Sequence, residues 1–401
     1  MNNAKGSLLG IIGLGVAGIS GYLAAGPLSP PAGPVASTYK TLAEVEPRIA
    51  ISATNTPGDA DSLFKITQRG SYYLTGNITG VANKHGIEIA ASGVTLDLNG
   101  FDLVGIAGMG AFDGINVASS TISGISIHNG TIRNWGATGI DMAVTMTRSS
   151  ISRVTASGNL LGGIRGGYTS MITECAAHGN TGVGITATSG SVFRDCTAYL
   201  NTSDGIVAGS GSTLTNCASY QNGVLGFWAL DGSTMINCTA FDNTDSGILI
   251  GGGVTISDCA ARSNGARGII SAEGCTITRC TVTTNASDGI YAFDDSIIIG
   301  NTCKSNGATT ANGAGIRVNG NDNRIEGNHC AGNDIGYSID LPSNIIIRNT
   351  EAGNTNGWVI VANNQYGPII DRRASTTSMV NGFSAPTSAL GSTDPNANFS
   401  Y

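Results

Sequence analysis

Charge is scarce in this chain of 401 residues: Asp, Glu, Lys and Arg together make up 12% of it, and lysine occurs only at positions 5, 40, 65, 84 and 304. A chain so poor in cations carries no basic stripe for tracking phosphates, which excludes an ordinary nucleic-acid surface. Aromatic residues are few as well, at 6%. Helix-favouring Lys and Glu give way to Val, Ile, Thr, Asn and Ser, so the composition reads as β-rich. No CxxC pair occurs, which leaves a zinc site without support. The four histidines, His85, His128, His178 and His329, are too scattered for a metal cluster or a Ser-His-Asp set.

What is abundant is glycine, with 59 residues. At that level and without a three-residue period it signals many tight turns, not collagen. Cys175, Cys196, Cys217, Cys238, Cys259 and Cys280 recur every 21 residues, and Asn180 to Asn306 follow at the same interval. A Gly-apolar pair repeats in step, from Gly86 through Gly184, Gly205 and Gly226 to Gly357, which counts 13 turns. Such a period with β composition marks an all-β solenoid, a single-stranded right-handed parallel β-helix. Stacked at about 4.8 Å, these turns make a rod roughly 60 Å long. The asparagines are expected to form a ladder in the left-handed conformation. The cysteines are expected as a buried column of free thiols, since parallel neighbours stand about 4.8 Å apart where a disulfide wants ~3.8 Å. Cys303 and Cys330 sit two places later in the pattern, and Cys275 lies off the ladder.

The flanks read differently. Lys5 followed by the apolar stretch Leu8 to Ala25 makes residues 1–25 a signal peptide or, at about 18 residues against ~20 for a full span, a membrane anchor. Gly13 to Gly18 matches GxGxxG but lacks a preceding strand and a βαβ unit, so it is no dinucleotide site. Residues 26–40 form a Pro-rich linker, 41–85 an N-terminal cap with a short helix over Thr41 to Ile51, 86–361 the β-helix, and 362–401 a C-terminal cap or irregular tail.

Phasing from the cysteines picks out the outward columns. Three places after them stand His178, Tyr199, Tyr220, Phe241 and Arg262, a candidate ligand-binding platform for sugar rings, the alternative being an aromatic ladder that stabilises the sheet or lies under the C-terminal tail. A second column, Val207, Trp228, Leu249, Ile270 and Tyr291, is apolar enough to pack on another segment or a second subunit. Glu174 and Asp195 share a column on adjacent turns and are the only weak catalytic candidates; their repulsion could raise a pKa or attract Ca²⁺. No metal set and no other cofactor is expected. Asp258 and Arg279 stack as a surface pair, and Asp113, Asp204 and Asp288 belong to turns.

The segment Ser92 to Gly100 (SGVTLDLNG) resembles the entry of many pectate-lyase-like right-handed β-helix proteins. Arg324 to Cys330 (RIEGNHC) and Ile345 to Thr350 (IIIRNT) resemble repeat units of the same class, which includes periplasmic copper-maturation β-helices. The linker, Ser71 to Asn77 (SYYLTGN), the cysteine ladder and the end from Asp394 to Tyr401 look like an exported bacterial β-helix family of unassigned activity. Polygalacturonase-like enzymes of the class carry NTD, paired Asp, GHG and RIK elements. Here Asn243-Thr244-Asp245 and Asp294-Asp295 lie more than two turns apart, GHG is missing, and Glu326 stands in place of the lysine. The extended outer face, with no recognisable catalytic set, supports a secreted, periplasmic or cell-surface scaffold that binds a polysaccharide or envelope component without turnover. Its rivals are a lyase, hydrolase or epimerase acting on an acidic glycan, and a structural rod or adhesin that self-associates. Membrane contact is expected only through an uncleaved N-terminus.

Overall fold

The computed structural model describes residues 46–117, 119, 121–142, 147–307, 312–373 and 392–401. The signal or anchor segment and the linker lie outside the described residues, within which no helix is long and apolar enough to cross a membrane. Residues 48–401 form one compact unit. In it the chain coils as a right-handed parallel β-solenoid. Each central coil contributes two short strands to a wide sheet of 28 strands and one to a narrow sheet of 14.

Register holds throughout. Ile172 pairs with Phe193, Phe193 with Leu214 and Leu214 with Met235, all fully buried. The narrow sheet stacks Ile185, Ile206, Phe227, Ile248 and Ile269 in the same way. One strand in the narrow sheet exceeds the 13 turns counted from glycine. It is Ser62–Ile66, whose register with His85–Ile89 puts Leu63 at the glycine position. The glycine count missed it because Leu63 stands where the later coils carry glycine. The helix expected over Thr41 to Ile51 is a correction: its described end is a strand, Ile49–Ala50, paired parallel with Tyr72 and Tyr73. An open sheet edge offered these backbone groups partners that a lone helix interrupted at Pro47 lacks.

Each central coil turns at three corners, and each corner is built alike. A residue in the left-handed region is followed by a buried residue that contacts its counterparts above and below. At the first corner Glu174, Asp195, Asn216, Asn237, Asp258 and Arg279 are left-handed, each just before a cysteine. At the second, Leu200, Gln221, Asp242, Ser263 and Thr284 take that role before the asparagines. The ladder asparagines themselves are therefore not left-handed, which corrects the sequence expectation. They are buried, and the strained φ passes to an exposed neighbour whose side chain can point into water. In each rung the Asn201 N–H and Nδ2 both donate to Asn222 Oδ1, at 3.2 and 3.0 Å, while Asn201 Nδ2 also reaches the Ala177 carbonyl. The ladder runs from Asn159 to Asn354. A third ladder, not foreseen, links Ser149, Ser170, Ser191, Ser212 and Ser233. Cys275 belongs to it: its N–H donates to Ser296 Oγ at 3.2 Å.

All nine cysteines are buried and free. Burial pushes the Cys175 thiol up to about 12, as expected for a sulfur enclosed by core side chains. Both ends of the coil stack are covered in part by the chain itself. At the N-terminal end Pro57 bridges Phe64 and the Lys65 N–H donates to the Thr56 carbonyl. At the other, Asn398–Ser400 pairs with Thr350–Ala352 and Ile369–Asp371, and Trp358 Nε1 donates to Ser400 Oγ at 2.9 Å.

Candidate functional site

The outward column on the wide sheet is assembled by register alone. His178 pairs with Tyr199, Tyr199 with Tyr220, Tyr220 with Phe241, and Phe241 with Arg262. Ring centroids are 4.7, 5.0 and 4.6 Å apart with planes within 15°, and the Arg262 guanidinium lies 4.6 Å over Phe241. Burial raises the Tyr220 phenol above its ordinary pKa, with the Tyr199 ring adding to the shift. The five candidate residues thus come together, but face to face. A sugar ring stacks on an aromatic face, and here each face is taken by the next ring. Only edges and hydroxyls look outward, so the contacts of about 0.5–1.5 kcal/mol each act mainly within the sheet.

Glu174 and Asp195 occupy the left-handed first corner and are exposed. Asp195 accepts from Asn216 Nδ2 at 3.2 Å and pairs with Arg194 at 3.5 Å. Further along, Asn237 Nδ2 donates to Asn216 Oδ1, and Arg279 grips both oxygens of Asp258 at 2.7 Å. From Asp195 onward this corner carries paired surface groups. Among the described residues, the carboxylates close enough to share a metal ion are Asp59, Asp61 and Glu88. They already enclose a cation of the chain: Lys65 Nζ lies 2.7 Å from Asp59 and 2.9 Å from Glu88. Hydrogen bonding from Lys65 and Ser62 holds the Asp59 carboxyl below the usual carboxylate range.

A groove that sequence reasoning missed lies on the outer face of the narrow sheet. It encloses about 370 Å³ between Ala111, Leu161 and Val183 on its apolar side and Asp113, Thr138, Asp141 and Arg165 on its polar side. Asp141 and Arg165 are paired in register, and Arg165 Nε donates to Asp141 Oδ1 at 2.6 Å while its Nη2 meets the second oxygen. Asp113 is buried; its Oδ1 accepts the Thr138 N–H at 2.8 Å and its Oδ2 accepts from Asn116 Nδ2 at 3.2 Å. The His85 ring, edge-on to Phe112, accepts the Asp113 N–H on Nδ1 at 3.0 Å. Burial holds the Asp113 carboxyl above the usual range, and the Asp141 charge pushes the same way against the pull of the Thr138 N–H. Asp204 and Asp288 repeat the turn role of Asp113 by accepting the Leu225 and Ala314 N–H groups. The groove escaped notice because its coils depart from the 21-residue spacing that phased the outward columns.

Beyond Arg165 the same outward row continues as Thr186, Val207, Trp228, Leu249, Ile270 and Tyr291. Trp228 is 39% exposed. The row ends at charge: Arg267 lies 4.1 Å over the Tyr291 ring and pairs with Asp288, which also binds Arg317.

The A-module of Azotobacter vinelandii mannuronan C-5 epimerase AlgE4 shares 17% identity with this chain. The match covers 74% of this chain and 90% of that one at a TM-score of 0.53. Tailspike protein 3 of bacteriophage CBA120 shares 13% identity over 74% of this chain and 55% of the other, at 0.52. At such identities the likeness concerns the fold. No curated protein sequence matches. A family model described as the right handed beta helix region matches residues 113–255 and 246–374. Covering more than half of the chain and agreeing with its two parallel sheets, that match shows that this protein belongs to the right-handed β-helix family.

Proposed function

We propose that the chain binds a polysaccharide along the outer face of the narrow sheet, without turnover, as an exported protein. The observation that carries this reading is the groove at Asp141 and Arg165. Sugars present apolar C–H faces and pairs of hydroxyls on one ring. A held carboxylate–guanidinium pair facing an apolar wall suits both. From Arg165 the outward row of the sheet continues along the axis, as a chain-shaped ligand requires. It leads to Trp228, three coil rises or roughly 14 Å away at about 4.8 Å each, whose exposed ring lies between aliphatic neighbours and not other rings. The fold it shares with a mannuronan epimerase module and a phage tailspike is compatible with this reading. So is the signal-like N-terminus, which supports a periplasmic, secreted or surface location.

Both carboxylates of the groove already hold partners, which favours binding over acid–base chemistry. Affinity electrophoresis of the purified protein against a panel of neutral and acidic polysaccharides tests the proposal. Retention is expected, with loss on Arg165→Leu or Trp228→Ala and little change on Tyr199→Ala or Tyr220→Ala. The opposite pattern would move the site to the wide sheet. Release of shortened or unsaturated products would replace the binder with an enzyme.

A further inference from the structure

We infer that the polysaccharide this face accepts is an uncharged one, not a polyuronate. The inference rests on the binding reading above and deepens it. A chain of carboxylated sugars brings one negative charge per residue into the site, and each needs a free cation or a bare donor to replace its water. Among the described residues that line the groove, Arg165 is the one cation, and Asp141 engages it through both oxygens. Asp113 stands beside that pair as a second acid. Toward the N-terminus Lys84 donates to the Asp59 and Ser62 carbonyls, and Lys65 is held between Asp59 and Glu88. Toward the C-terminus the row from Thr186 to Tyr291 carries no charge, and the arginines at its far end are shared among Asp288 and Asp340. The cations along this face are thus engaged by the protein's own oxygen atoms, carboxylate or carbonyl, and the surplus in the groove is negative.

Uncharged sugars meet no such opposition. Their hydroxyls can donate to Asp141 and accept from the outer N–H groups of Arg165 without breaking the pair. Their apolar faces can follow Val207 and Trp228. Discrimination therefore arises from repulsion built into the groove as much as from attraction to hydroxyls.

The experiment compares uncharged chains (a β-glucan and a galactomannan) with polymannuronate and polygalacturonate. Binding to the full chain is measured at low salt, once with EDTA and once with added CaCl₂. At least about tenfold weaker binding of both polyuronates in both arms is expected. Polyuronate binding that equals or exceeds the neutral chains in either arm overturns the inference and leaves the glycan reading standing. Failure to bind any chain sinks the glycan reading itself and the inference with it. Asp141→Asn supplies the converse: freeing Arg165 should raise polyuronate affinity by about tenfold or more. Asp141→Ser is the second variant, with circular dichroism confirming the fold of each. No gain in a folded variant would show that the ion pair is not what excludes acidic chains.

Discussion

The first corner of the coil is occupied by sulfur in one region and by amide in the other. From Cys175 to Cys280 it carries a thiol on every coil; from Asn301 through Asn328 and Asn349 to Asn398 it carries a carboxamide. The exchange takes place within one rung, where the Cys280 N–H donates to Asn301 Oδ1 at 2.8 Å. In the amide region each rung closes a full set of bonds: Asn301 Nδ2 reaches Asn328 Oδ1 at 3.0 Å and the Ile277 carbonyl at 2.9 Å. In the thiol region the contacts are softer, as where the Cys238 N–H meets Cys259 Sγ at 3.3 Å. The corner thus asks for a small buried side chain that accepts an N–H from the coil before it. An amide meets that by hydrogen bonding and a thiol mainly by packing. The second corner is asparagine in every coil from Asn159 to Asn354, and in the coil before them Trp135 takes the place, its N–H donating to Asn159 Oδ1 at 3.0 Å.

The largest loss of stability is expected at the second corner. Asn222→Ala removes the acceptor of two buried donors on Asn201 and should cost about 4 kcal/mol. Cys217→Ala should cost about 1–2 kcal/mol. Because a long repeat array need not unfold in one step, hydrogen exchange at the coils concerned is the measurement to make. Nearly as large is the effect of filling the glycine column. A Cβ at Gly226 would lie 2.6 Å from the Gly247 carbonyl oxygen and 2.7 Å from Asn243 Nδ2, so Gly226→Ala should lose about 3 kcal/mol by the same hydrogen-exchange measurement. Gly232→Ala, left-handed at φ 64° but facing open space, should lose about 1 kcal/mol. The sharpest test exchanges the two chemistries. Cys280→Asn gains an amide neighbour in Asn301 and should be within about 1 kcal/mol of the parent, whereas Cys217→Asn strands its amide among thiols and should cost about 2 kcal/mol more. Equal costs would mean that the ladder adds nothing at this corner. Smallest in free energy is a labelling result. With its pKa near 12, Cys175 should stay unreactive to a maleimide at neutral pH until the coil opens.

Much of this was legible in the sequence. A 21-residue period with Gly, Asn and Cys at constant offsets leaves few ways to bury the apolar residues other than coil upon coil. The inward and outward assignment of Ala177, His178 and Tyr199 follows from counting. The left-handed positions were harder to see, because the strain sits on Leu200, Gln221 or Thr284, residues with no preference for it. Only the neighbouring ladder forces them. The groove was hidden because Asp113, Asp141 and Arg165 are unevenly spaced; uneven coils still stack in register when the extra residues leave through loops.

By itself, then, the sequence determined the coil, its phase and which side chains line up along the axis, because hydrogen bonding between successive coils ties chain position to place in space. Tertiary structure alone decided what each row presents to solvent. It turned His178, Tyr199, Tyr220 and Phe241 upon one another, locked Arg165 to Asp141, and left Trp228 open. Those outcomes depend on the distance and angle between neighbouring side chains, which a repeat period does not encode.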